Sequence, residues 1–161
     1  MYTDNLISGL IEIPKFIVDP PKNIEPRGGY SKRKFFMKSD DHLHDFSAFI
    51  NHNETFQENF SIGLVYISKS DLGKVVLLRC NGAHGEHESA KHHIACHIHY
   101  STADRINNKL RPEGKIEMTN EYVTIEEAIQ YFIKKIGLNA EDRRKYFPIP
   151  NPQIDLFGGN L

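Results

Sequence analysis

Long apolar runs, a charge excess and a cysteine framework are all missing from this 161-residue sequence. Each absence removes a class. No apolar run approaches the ~18 residues of a membrane-spanning helix, so no membrane partner is expected. Two cysteines cannot build a disulfide scaffold. Asp4, Gly9 and Glu12 interrupt the first apolar residues and no basic stretch precedes them, unlike a secretory signal. Reduced thiols and a cytoplasmic location are therefore expected. A net charge of −1 is not the whole-protein signature of a nucleic-acid binder. Lys32-Arg33-Lys34 and Arg143-Arg144-Lys145 are local basic clusters, a pattern that ordinarily forms solvated faces. There is no phosphate-binding glycine loop, dinucleotide fingerprint, nucleophile elbow or paired CxxC motif. No internal repeat occurs.

What is present suits one globular domain, with 39% apolar and 25% charged residues. Asp4 as N-cap, then Leu6, Ile7, Leu10 and Ile11 at helical spacing, predict a short helix that Pro14 ends. Residues 19–31 hold three prolines and two glycines and read as a loop. Residues 1–31 thus form a helix-and-loop arm, 32–147 a single domain, and 148–161 a proline-rich tail.

Within the domain, five strands are expected over 33–38, 44–51, 60–68, 74–81 and 94–101. The third is apolar on both faces and should be central or covered. Turn chemistry at 69–73 suggests a hairpin. Thr124 and Glu127 form a capping box. Ile125, Ala128, Ile129, Phe132, Ile133 and Ile136 then make one apolar helical stripe, closed by Gly137. A further short helix is expected over 139–147. The fold class is α+β: an antiparallel sheet of about five strands packed against a C-terminal amphipathic helix.

Six of the nine histidines lie between Arg79 and Tyr100. Strand alternation sorts them. Val75, Leu77, Arg79 and Asn81 share one face of the fourth strand, and His97, His99 and Ser101 one face of the fifth. Cys80 and Cys96 fall on the opposite faces, as buried small hydrophobes. His84 and His87 belong to the connection. His42, His44, His52, His92 and His93 read as ordinary surface.

Three functions compete for this set. RNA cleavage by its own 2′-hydroxyl needs a base, an acid and positive charge on the phosphate. His97 or His99 with His84 or His87 could supply the first two. Arg79 could clamp the phosphate and Asn81 add a hydrogen bond. This RNA-cleaving or RNA-binding reading, of a prokaryotic toxin or defence type, comes first, with RNA as partner. Alternatively, His84, His87, His97 and His99 could ligate a metal. Arg79 would repel that cation, so no metal and no cofactor is the expectation. The third reading is a non-catalytic interaction factor, of a phage counter-defence or antitoxin-like kind. The arm, the helix or the tail would then contact a protein partner. Neither thiol should reach the imidazoles, so a cysteine nucleophile is disfavoured.

The segments Ile62-Gly63-Leu64, Leu77-Leu78-Arg79-Cys80-Asn81-Gly82, His84, His87, His97-Ile98-His99-Tyr100 and Thr119-Asn120-Glu121-Tyr122 resemble a prokaryotic small-protein family of unknown function. The likeness covers about residues 33–138. It implies a prokaryotic or phage origin and a single small domain, and it carries no catalytic role to any residue.

Overall fold

The computed structural model describes residues 1–70, 73–84 and 95–150. The chain runs α1 (Asp4–Glu12), β1 (Lys15–Arg27), β2 (Tyr30–Ser39), β3 (Asp45–Asn53), β4 (Phe60–Ile67), β5 (Lys74–Asn81) and β6 (His97–Ser101). It continues through α2 (Ala103–Asn107), β7 (Glu113–Met118), α3 (Ile125–Lys135) and α4 (Ala140–Tyr146). The strands lie in sequence order in one sheet, and every neighbouring pair is antiparallel. The architecture is α+β, with seven strands in place of the expected five.

The two additional strands sit at the edges, where sequence patterning is weakest. β1 occupies most of the stretch expected as a loop. Its prolines are tolerated because an edge strand leaves one row of amides outside the ladder, and the pairing with β2 shifts register between Asp19 and Lys22. Gly28 and Gly29, with φ of 61° and 77°, make the two-residue hairpin turn for which a Cβ would be strained. β7 alternates weakly, and its Ile116 and Met118 are exposed.

β4 is the middle strand, with Phe60, Ile62 and Leu64 fully buried. The helices cover one sheet face. Leu10 and Ile11 of α1 and Ala128, Phe132 and Ile133 of α3 share a core with Phe35, Phe46, Leu64, Leu78 and Cys80. α1 and β1 thus belong to the same core and sheet as the other described elements. The capping box at Thr124 and Glu127 forms as expected, whereas α1 is capped by Thr3 rather than Asp4. The expected turn at 69–73 lies partly outside the described residues. Among the described residues, no helix is long and apolar enough to cross a membrane.

Lys15 is the unexpected hub. It is fully buried, and its Nζ donates to the carbonyls of Ile11, Ile13 and Ile136 at 2.8, 2.9 and 2.7 Å. These carbonyls close the C-terminal ends of α1 and α3, where the helix dipoles are negative. The same ammonium stands 4.5 Å from the Phe46 ring centroid.

Candidate functional site

A bulge separates the site from the core. Leu64 pairs with Leu78 but Val65 pairs with Val76, so Leu77 is an extra residue in β5. Val75 therefore lies opposite Tyr66 on the helix-covered face, and the expected common face of Val75, Leu77, Arg79 and Asn81 is broken. The half of β5 beyond the bulge keeps its alternation. Ser61, Asn81 and His97 form one cross-strand row, and Gly63, Arg79 and His99 the next.

The first row is a hydrogen-bond relay. Ser61 Oγ donates to Asn81 Oδ1 at 2.7 Å. Asn81 Nδ2 lies 3.3 Å from His97 Nε2, and His97 Nδ1 lies 2.8 Å from the Ala95 carbonyl. A carbonyl only accepts, so Nδ1 carries the proton and Nε2 accepts from Asn81. Tyr122 Oη reaches the carbonyls of both Asn81 and His97 at 3.0 Å, and fastens the ends of β5 and β6 together. His97 is fully buried behind the site. Gly82 is needed here because a Cβ would run into the Glu58 carbonyl and the Phe60 ring.

The second row carries charge. Arg79 Nη2 pairs with Glu113 Oε1 at 2.6 Å, and Arg111 Nε with Glu113 Oε2 at 2.9 Å. Burial pushes the Glu113 carboxyl up, but the Arg111 hydrogen bond and the Arg79 charge outweigh it, and the net shift is downward. Burial lowers Arg79, against the opposing pull of Glu113. Arg79 Nε is buried with no hydrogen-bond partner.

Arg79, Asn81, His84, His99, Arg111 and Glu113 line one cavity of about 460 Å³. His84, His97 and His99 form a chain of rings, with centroids 5.2 and 5.0 Å apart along it. His97 is absent from the cavity lining, whereas His84 and His99 are both in it. His87 lies outside the described residues, as do His92 and His93. His44 instead meets Tyr66 Oη, His52 the Gln57 carbonyl and His42 the Phe16 ring, all elsewhere. A larger cavity, about 700 Å³, runs beside α3 against Phe147 and Pro148. Among the described residues its lining has no histidine, so size alone does not locate the chemistry.

Burial pushes the Cys80 thiol up to about 12, which makes it inert at neutral pH. Cys96 is only half-buried and donates to the Val123 carbonyl at 3.7 Å. Ser101 Oγ is engaged by the Val76 carbonyl. Among the described residues no three His, Cys, Asp or Glu side chains gather to hold an ion.

Sequence reading missed Glu113, Arg111, Ser61 and Tyr122. Tyr122 lies in the Thr119–Tyr122 segment but had no site role there, the other three belong to no motif, and each enters only through strand pairing or loop packing. Glu113→Gln should destabilise the protein by about 2 kcal/mol, since it leaves the largely buried Arg79 charge uncompensated. The exposed Arg111 contributes little. The folded Glu113 holds its proton less tightly than the ordinary 4.5. Its contribution is therefore present above about pH 4.5 and lost as pH falls through its folded value. Urea unfolding of both proteins at pH 7 and pH 3 checks this: the gap should narrow in acid.

Comparison with family models, curated proteins and solved structures finds no match to this chain.

Proposed function

We propose that this protein cleaves RNA without a metal, as a prokaryotic toxin or defence enzyme would. One observation carries the reading: Arg79, Asn81, His84 and His99 line a single cavity. Its volume suits about one nucleotide.

One imidazole takes the proton of the 2′-hydroxyl, and that oxygen attacks the adjacent phosphorus. The bond to the 5′-oxygen breaks, and the other imidazole protonates the leaving oxygen. The products are a 2′,3′-cyclic phosphate and a free 5′-hydroxyl. His84 and His99 fill these roles because both border the cavity. His97 is a positioning residue, buried behind His99 and held by Asn81. Arg79 and Arg111 face the phosphate around one carboxylate and leave one positive charge over. Asn81 spends its oxygen on Ser61 and one amide hydrogen on His97, and the second hydrogen remains for a phosphate oxygen.

The test is incubation of purified protein with end-labelled RNA in the presence of a chelator. Cyclic-phosphate ends should appear, and DNA of the same sequence should stay intact because it lacks the 2′-hydroxyl. Absence of cleavage, or cleavage that persists unchanged in both His99→Ala and Arg79→Ala, rejects the reading.

The non-catalytic interaction factor is the second reading, and the apolar-walled cavity beside α3 favours it. It predicts a bound partner that survives His84→Ala and His99→Ala but is lost with Ile149→Glu, at an exposed residue of the same lining.

A further inference from the structure

We propose that the catalytic cavity opens onto a second subsite, formed by Arg27, Tyr30 and Lys32, which makes the ligand a single-stranded polynucleotide spanning both. This rests on the RNA reading above and specifies its substrate class. A cavity of about 250 Å³ is lined by Arg27, Tyr30, Lys32 and Asn51, and it shares Asn59, Phe60 and Ser61 with the cavity that holds Arg79 and His99. The shared residues make the two spaces neighbours across one wall.

The sheet register gives the direction. Lys32 pairs with Asn51, Asn51 with Ser61, and Ser61 with Asn81. These four residues form one row on the face opposite the helices. Three strand spacings separate its ends, roughly 14 Å, a span for a few nucleotides rather than one.

Charge selects the ligand. Arg27 and Lys32 line the second subsite, with no carboxylate among its described lining residues. Among the described residues, Arg79 and Arg111 line the first against Glu113. The described linings of the two cavities together carry more cations than carboxylates, in a chain whose net charge is −1. A polyanion follows this row by releasing its counterions. Tyr30 supplies an aromatic ring, anchored by the 3.1 Å hydrogen bond from Asn59 Nδ2 to its hydroxyl. Base stacking on such a ring tolerates any sequence. Asn51 and Ser61 add neutral hydrogen-bonding groups between the charges. Cavities of this size take unpaired nucleotides, whereas a duplex keeps its bases inside the helix.

The test measures binding apart from cleavage. The probes are a 2′-O-methylated strand of about eight nucleotides, a duplex of the same length, and uridine monophosphate. Wild type should prefer the single strand to both others. Arg27→Ala combined with Lys32→Ala should weaken the single strand about tenfold or more. The slope of log affinity against log salt should fall by about 1.4, at 0.7 for each cation. Uridine monophosphate should bind the double variant as it binds wild type. Arg27 and Lys32 are exposed, so the variant should keep its fold, checked by circular dichroism.

Unchanged strand affinity in the double variant overturns the proposal, as does equal wild-type affinity for duplex, mononucleotide and strand. RNA cleavage that persists with unchanged strand binding in the variant removes the second subsite and spares the catalytic reading. Strand binding that depends on Arg27 and Lys32, with no cleavage by wild type, does the reverse.

Discussion

Lys15→Met destabilises the fold by about 3 kcal/mol near neutral pH, the largest stability loss expected from any single polar side chain here. The size follows from what remains after the substitution. Three carbonyls that closed helix ends lose their donor, and each buried unsatisfied acceptor costs about 1–3 kcal/mol. Relief of the buried charge offsets part of this. Met preserves most of the volume over Phe46, so cavity formation adds little.

The pH dependence gives the residue a second signature. Burial pulls the Lys15 ammonium down from 10.5 to about 7. Between those values the unfolded chain holds a proton that the folded chain has released, so wild-type stability rises with pH across the window. The Met variant lacks this contribution. The gap between the two proteins should be smallest near pH 7 and grow towards pH 10. Urea titrations at both pH values measure it, and a gap that shrinks with rising pH contradicts the assignment.

His99→Ala should lower RNA cleavage by about 10²–10⁴-fold, the range for loss of one positioned acid or base. His84→Ala should do the same. The double variant should cost little more than either single one, because a proton acceptor without its donor partner leaves the step incomplete. Both single variants should keep the wild-type fold, checked by circular dichroism. His97→Ala should behave differently. It empties a fully buried position and leaves Asn81 without its acceptor, so a stability loss of about 2–3 kcal/mol accompanies any loss of cleavage. A stability assay beside the kinetic one therefore separates acid–base residues from the residue that positions them. If His97→Ala lowers only the rate and leaves stability untouched, the roles of His97 and His99 are misassigned.

What could be read from the sequence was whatever a local period encodes. The apolar stripe and capping box of α3 were legible because 3.6-residue spacing and a Thr-x-x-Glu pattern are consequences of one helix's own geometry. β4 was legible as central because both its faces are apolar. The cluster of Arg79, Asn81, His97 and His99 on one sheet face was legible because strand alternation is exact within a continuous strand. The same rule failed at Leu77, where one extra residue moved Val75 to the other face. Bulges are decided by the partner strand and leave no mark in the period.

The tertiary structure alone decided the rest. β7 and the part of β1 from Asp19 to Arg27 have little apolar signal, and they become strands because an edge of the sheet supplies their hydrogen-bond partners. Lys15 belongs to no motif, and it becomes a hub only because two helix ends converge on its amine. Glu113 and Arg111 join the site from β7 and the connection before it, far from the histidines in sequence. The division among the histidines is of the same kind. Residue type named His84, His97 and His99 as candidates for proton transfer, but only packing placed His97 behind the cavity and the other two at its wall. Sequence specifies which groups a chain possesses and, within an unbroken strand, which face each occupies. Burial, pairing and access to a ligand are relations between distant segments, and they exist only once the sheet has formed.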